Sequence, residues 1–355
     1  MPRKKASKET TIAFEKAAVR RLPRRMKAEG QIVWPAVPAL LDHYQQCLAN
    51  IFSSLGRTFS NEEIELLRQN LKKHLEPAFQ ASPHSKIRIE YQTDPLPSTA
   101  ITYTVSHNVF TIADEYDGWV QNRTRPLFGV SPDAKVMQVA RSIGESASVR
   151  VLDVGAGTGR NAIPLAGEGF LVDAIELVPS LASLLRAEAG KSRSDVRVFE
   201  GDVLDPAIGI ANGNYELIIL AEVVASHFRN IERLRLLFER AADWLKPGGL
   251  LLFSSFISMG SRRLTAIERE LSEVMWCPVY RRSQLSEAAK RLPLVLVSNE
   301  SAHDFEGQHL DKSAWPPTGW FSQWAKGLDL YDLSQENSPI ELRWIVYRRT
   351  KNRRR

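Results

Sequence analysis

Three glycines stand at alternate positions in the run VRVLDVGAGTGRNAIPLA, where Gly155, Gly157 and Gly159 separate an apolar, strand-like stretch from an apolar helical pattern. Glycine lets a backbone turn tightly after a strand and approach a ligand, and the N-terminus of the following helix offers free N–H groups and positive potential. The acid two residues ahead, Asp153, narrows the chemistry. Its carboxylate is the wrong partner for a pyrophosphate and a good one for a cation such as the α-amino group of methionine. A dinucleotide-binding loop would follow G-x-G-x-x-G and receive pyrophosphate. G-x-G-x-G with a nearby Asp departs from that pattern and suits a ligand carrying an amine, the alternative being a tight strand-to-helix turn with no ligand.

Those acids recur along the chain. The run LVDAIEL ends on Glu176, about twenty residues beyond the loop, where a carboxylate can accept both ribose hydroxyls. A third apolar run leads into GDVLD and puts Asp202 where it could accept from an adenine amino group, beside the Val203 backbone N–H; a helix N-cap is the alternative role for Asp202. A fourth leads into AEVVASHF, and LKPGG turns the chain into LLLFSSF.

These residues need a frame. Residues 150–154, 171–176, 196–200, 217–220, 250–256, 294–298 and 342–347 read as strands alternating with helical patterns, which implies βαβ units and a parallel sheet. Ahead of them, Val37, Leu41, Tyr44, Leu48 and Phe52 recur at helical spacing and Gly56 follows as a stop; Ser60 and Glu63 form a capping-box pattern for a second helix. Residues 87–91 and 101–105 alternate as a strand pair, and Ser131 and Pro132 open a helix running to about Gly144.

The run from Val151 to Phe256 resembles the class I, Rossmann-like S-adenosylmethionine-dependent methyltransferases: an acid before GxGxG, an acidic end to strand two, an acid after strand three and a PGG turn before strand five. The resemblance implies an α/β fold, a seven-stranded doubly wound, mostly parallel sheet in the order 3-2-1-4-5-7-6, its last strand antiparallel; the N-terminal mainly helical extension is read from periodicity alone, and residues 1 to about 130 resemble no family. The resemblance also implies S-adenosyl-L-methionine as cofactor, Asp153, Gly155, Gly157 and Gly159 around the methionine moiety, Glu176 at the ribose, Asp202 and Val203 at the adenine, and Ala156, Leu177 and Ala221 as further cofactor-binding residues. The segment ADEYDGWV resembles the Tyr-Asp-x-Trp element that precedes the core in small-molecule members, which makes Tyr116 a candidate cofactor contact and Trp119 a packing residue. No metal-ligand set is read.

Methyl transfer is an in-line displacement in which positioning and water exclusion supply much of the catalysis, and a base is needed only for some acceptors. For a hydroxyl or a protonated amine, His227 or Glu222 near the end of strand four is the candidate proton acceptor, with His107 more remote; the alternatives are a surface histidine at a helix start for His227 and a place along the cofactor's adenine or sulfonium edge for Glu222. The Asn-Pro-Pro-Tyr type sequence of nucleobase and glutamine methyltransferases is missing after strand four. The acceptor pocket should form from loops outside the carboxyl ends of the strands, including an insertion at 300–340 that concentrates Trp315, Trp320, Phe321 and Trp324 either as a lid or as ordinary packing.

The organisation expected is a basic segment 1–30, a mainly helical region 31–130 with a short strand pair, a methyltransferase domain 131–347 and a basic tail 348–355. Of the formal charge of +6, residues 1–30 carry +7 and 348–355 carry +6, leaving −7 on the body. An acidic body opposes a phosphate-tracking groove, whereas basic ends can dock a polyanion or an acidic protein. A small-molecule acceptor methylated on oxygen or nitrogen is therefore favoured over a protein or nucleic acid; a non-catalytic cofactor-binding scaffold is the reading from another class. With 43% hydrophobic and 25% charged residues, only Cys47 and Cys277, no membrane-length apolar run and no secretory leader pattern, a globular protein of the reducing cytoplasm is expected.

Overall fold

The computed structural model describes residues 8–21, 27–95, 98, 100–260, 262–334 and 337–351. The chain divides into two compact units, Met1–Val109 and Phe110–Arg355. In the smaller unit β1 (Glu29–Pro35), β2 (Lys86–Thr93) and β3 (Ile101–Asn108) form an antiparallel sheet in that order. Two helices, Leu41–Ser54 and Asn61–Ala81, contribute Leu48, Phe52, Leu67 and Leu71 to a core shared with Ile87 and Ile89 of β2. The capping box forms as its spacing implies: Ser60 Oγ accepts from Glu63 N–H and the Glu63 carboxylate accepts from Ser60 N–H.

In the larger unit the strands are β4 (Arg150–Val154), β5 (Leu171–Glu176), β6 (Val196–Glu200), β7 (Tyr215–Leu220), β8 (Leu245–Ser258), β9 (Val279–Tyr280), β10 (Leu294–Ser301) and β11 (Ile340–Arg349). Their order is β6-β5-β4-β7-β8-β11-β10. Counting the seven long strands along the chain, this is 3-2-1-4-5-7-6. The β4, β5, β6, β7 and β8 pairings are parallel, and β11 runs antiparallel to both its neighbours. The two-residue β9 pairs with β8 off this path, an eighth strand too short for periodicity to show.

Alternation along each strand decides which face a side chain joins. Leu152, Val154, Ile218 and Leu220 pack on one side with Leu234, Leu237 and Phe238 of the helix Ile231–Trp244. Val151, Leu217 and Ile219 pack on the other with Val136, Val139 and Ala140 of the helix Ala134–Ile143. Both faces are covered, so the strands read as continuous apolar runs.

Several expected boundaries move. The helix Ile112–Asn122 belongs to the larger unit, which begins at Phe110 rather than 131. The basic first segment contains a helix, Lys8–Arg21, and runs into β1, a third strand whose exposed outer residues hide the alternation. Arg348 and Arg349 are the end of β11 rather than a tail, and Arg349 donates to the Leu245 carbonyl; the last four residues, 352–355, lie outside the described residues. Among the described residues no helix is long and apolar enough to cross a membrane.

Candidate functional site

Parallel strands bring their carboxyl ends to one edge of the sheet, and the residues singled out by the sequence meet there. At the end of β4 the chain turns so that Gly155 and Ala156 both donate N–H to the Ile175 carbonyl, at 2.8 and 3.2 Å. Gly155 has φ +70°, and a Cβ there would fall 2.4 Å from Val223 Cγ2; Gly159 has φ +93°, and a Cβ would fall 2.4 Å from Leu185 Cδ1. Left-handed backbone and absent space together demand glycine at both.

Asp153, Gly155, Ala156, Gly157, Glu176, Leu177, Asp202, Val203, Ala221, Glu222, His227 and Tyr116 all line one cleft. Gly159 does not; it sets the path into the following helix. Asp153 is only 2% exposed, and its Oδ2 is buried without a hydrogen-bond partner among the described residues. Burial, then the Asp133 carboxylate, pushes its carboxyl up to about 7, against Arg160 and an N–H from Ala162. A buried carboxylate oxygen without a donor is costly unless a ligand supplies one. An ammonium group on the cleft side would do so.

Glu176 closes β5 with both oxygens engaged: Oε2 accepts from Gly157 N–H at 2.7 Å and Oε1 from Val178 N–H at 2.9 Å. Burial raises its pKa and these N–H groups oppose the shift. Its carboxylate thereby fixes the glycine loop as well as facing the cleft. Asp202 uses Oδ1 to accept from Leu204 N–H at 2.8 Å in a local turn, with Oδ2 3.8 Å from Arg233. The turn continues as Asp205 N–H bonds the Asp202 carbonyl, so the N-cap alternative becomes a turn-closing role.

A buried charge network went unread in the sequence. Arg160, one residue past Gly159, donates to Asp133 Oδ1 at 2.6 Å and to Glu222 Oε1 at 2.9 Å. Asp133 also accepts from Asn161 Nδ2 at 2.9 Å, and the Asn161 amide oxygen accepts from Asp133 N–H at 2.9 Å. The network joins the entry to the helix Ala134–Ile143, the glycine loop and the end of β7. Glu306, 0% exposed, anchors its outer side by accepting from Ala134 and Lys135 N–H and from Trp344 Nε1–H. The charge of Arg160 inside a glycine-rich turn was the available signal, since an arginine there needs an acid to pair with.

Glu222 sits at φ +61°, its N–H donated to Ser254 Oγ at 2.7 Å, and burial raises its carboxyl above the ordinary range while Arg160 opposes. With Arg160 already on Oε1, Glu222 is a network member more than a free base. His227 ends the short helix Val223–His227, and its Nε2 lies 3.1 Å from the Tyr116 hydroxyl. The rings of Trp119, Phe128 and Trp276 surround Tyr116 at 4.9, 5.9 and 5.5 Å between centroids. Burial raises the Tyr116 pKa, helped by Glu176 and Glu222, so the phenol stays protonated. His107 lies on β3 in the smaller unit, where its Nδ1 is 3.0 Å from His74 Nδ1.

The tryptophan insertion packs more than it covers. Phe321 and Trp324 are buried, Trp324 stands edge-on to Phe256 at 4.9 Å, and Trp320 is 40% exposed. Trp324 Nε1–H donates to the Trp276 carbonyl at 3.2 Å. Trp276, at φ +58°, also packs edge-on against His227, so the insertion supports the aromatic wall of the cleft from behind.

A family model described as a methyltransferase domain matches residues 151–249. This stretch is a methyltransferase domain. It spans β4 to the turn inside β8 and so contains the glycine loop, Glu176, Asp202, Glu222 and His227. A Geobacillus sp. (strain WCH70) protein whose name proposes a methyltransferase is 27% identical over 118 residues, which is 33% of this chain and 47% of that protein. The chain thus matches about half the length of that curated relative. Among solved structures, a geranyl diphosphate C-methyltransferase from Streptomyces coelicolor A3(2) is 14% identical with TM-score 0.48, covering 63% of this chain and 87% of that one. A proposed sarcosine dimethylglycine methyltransferase from Galdieria sulphuraria is 16% identical with TM-score 0.48, covering 61% and 85%.

Proposed function

We propose that the protein is an S-adenosylmethionine-dependent methyltransferase that methylates an oxygen or nitrogen of a small molecule. The observation that carries the reading is the partnerless, buried Oδ2 of Asp153 beside a loop of positive-φ glycines, inside a methyltransferase domain. That carboxylate fits an ammonium group, Glu176 fits a ribose diol, and the Val203 N–H with Asp202 fits an adenine edge. When bound, the cofactor supplies an electrophilic methyl carbon. The chain's own part is to exclude water with the ring cluster around Tyr116 and to hold a proton acceptor near the reacting atom. His227 is the candidate for that role: it lines the cleft, and the Tyr116 hydroxyl, 3.1 Å from its Nε2, fixes the ring. Cys47 and Cys277 as free thiols suit a cytoplasmic home.

Calorimetric titration with S-adenosylmethionine and with NAD tests the cofactor. Binding of the first alone is the expected result, and binding of NAD alone would sink the proposal. Incubation with isotopically labelled cofactor and a small-molecule extract, read by mass spectrometry, then identifies the acceptor.

A further inference from the structure

A second cleft opens at the same sheet edge, lined by Ser258, Met259, Gly260, Arg281, Arg282 and Ser283. It lies where β8 and β9 end. These strands run parallel to each other, Phe256 opposite Val279 and Ile257 opposite Tyr280, and β8 runs parallel to β7. Their carboxyl ends therefore share an edge with the glycine loop. Tyr280, the residue before Arg281, reaches back to donate its hydroxyl to the Phe228 carbonyl at 2.5 Å, and Phe228 lines the cofactor cleft. Tyr280 thus ties the backbone of a residue lining the first cleft to the segment that lines the second.

Their charges are opposite. The cofactor cleft presents Asp153, Glu176 and Glu222, and its arginines are occupied: Arg160 by Asp133 and Glu222, Arg233 by Asp202. Arg281 and Arg282 are exposed and have no carboxylate at ion-pair distance among the described residues. Arg281 spends only its Nε–H, on Gln284 Oε1 at 3.3 Å. Two guanidinium groups with free N–H edges, flanked by the Ser283 hydroxyl, have the donor set of an oxyanion site; the Ser258 hydroxyl is spent on the Arg262 carbonyl at 3.5 Å.

We propose that this second cleft is an anion subsite holding a phosphate or carboxylate of the methyl acceptor. The arginine pair attracts an anionic group, so such an acceptor would sit with its anion at Arg281 and Arg282 and extend its reacting atom toward the cofactor cleft at the same sheet edge. This inference rests on the methyl-transfer reading and names the acceptor class for it.

The test has two arms. In the first, arginine Nε–Hε resonances are followed while inorganic phosphate, and separately acetate, is titrated into the full-length protein. Arg281 and Arg282 should saturate together at least tenfold more tightly than the exposed Arg193, the better anion naming the preferred group. The R281Q/R282Q variant should lose this site while binding S-adenosylmethionine unchanged. A response no steeper than that of Arg193, or phosphate binding that survives in the variant, overturns the site. In the second arm, a small-molecule extract is passed over an anion exchanger before incubation with labelled cofactor. Acceptor activity should stay on the resin, and labelled product from the flow-through would overturn the acceptor class. Phosphate binding at the arginine pair by a protein that ignores S-adenosylmethionine would refute methyl transfer while leaving the anion site standing.

Discussion

Cofactor binding should be tied to the proton on Asp153. In the ligand-free protein this carboxyl is held up to about 7, chiefly by burial, and its Oδ2 has no donor. An ammonium group placed against it favours the ionised form, so the bound-state pKa lies lower than the free-state one. Affinity is then full above about pH 7 and declines as pH falls through the free-state pKa. Each unit below it costs about 1.4 kcal/mol, a factor of roughly ten, until the bound-state pKa is reached. Between pH 8 and pH 5.5 this amounts to roughly thirtyfold. Calorimetry of S-adenosylmethionine binding across that range, repeated in buffers of different ionisation enthalpy, reads both the affinity and the proton released, about half a proton per site at pH 7. Asp153→Asn should bind weakly and without the slope. A flat affinity from pH 5.5 to 8 in protein that stays folded by circular dichroism, or an equal slope in Asp153→Asn, would refute the reasoning.

Gly155→Ala places a Cβ 2.4 Å from Val223 Cγ2 on backbone at φ +70°, and should destabilise by about 1–3 kcal/mol in urea melts while removing cofactor binding. Arg160→Leu leaves Asp133 and Glu222 facing each other without their shared cation, and should cost about 3–5 kcal/mol by the same measurement. His227→Asn should lower kcat by roughly 10²–10⁴ and flatten its pH profile while leaving calorimetric cofactor affinity within about twofold. Full kcat in that variant would remove His227 from proton transfer.

Periodicity and glycine chemistry made much of the larger unit legible. Strands β4 and β5 show as apolar runs that stop at Gly155 and at the acidic Glu176, because both faces of a parallel sheet are buried there, whereas the half-exposed edge strand β6 is marked only by its β-branched and aromatic residues ahead of Gly201. Asp153, Glu176 and Asp202 were readable for the same reason: each sits at the carboxyl end of a strand, and parallel strands deliver all such ends to one edge. β1 was not readable, since on an edge strand with exposed outer residues the alternation that marks a strand is weak.

The sequence by itself determined a parallel sheet, its glycine loop and the acids set around it, since these depend on local backbone geometry and on spacing along the chain. Only the tertiary structure decided the partners. That Arg160 lies between Asp133 and Glu222, that Tyr116 meets His227 across 111 positions, and that Arg281 and Arg282 line a cleft with Ser258 follow from how distant segments close on the sheet edge. A charge or a ring declares its type in the sequence, but its partner is chosen by packing.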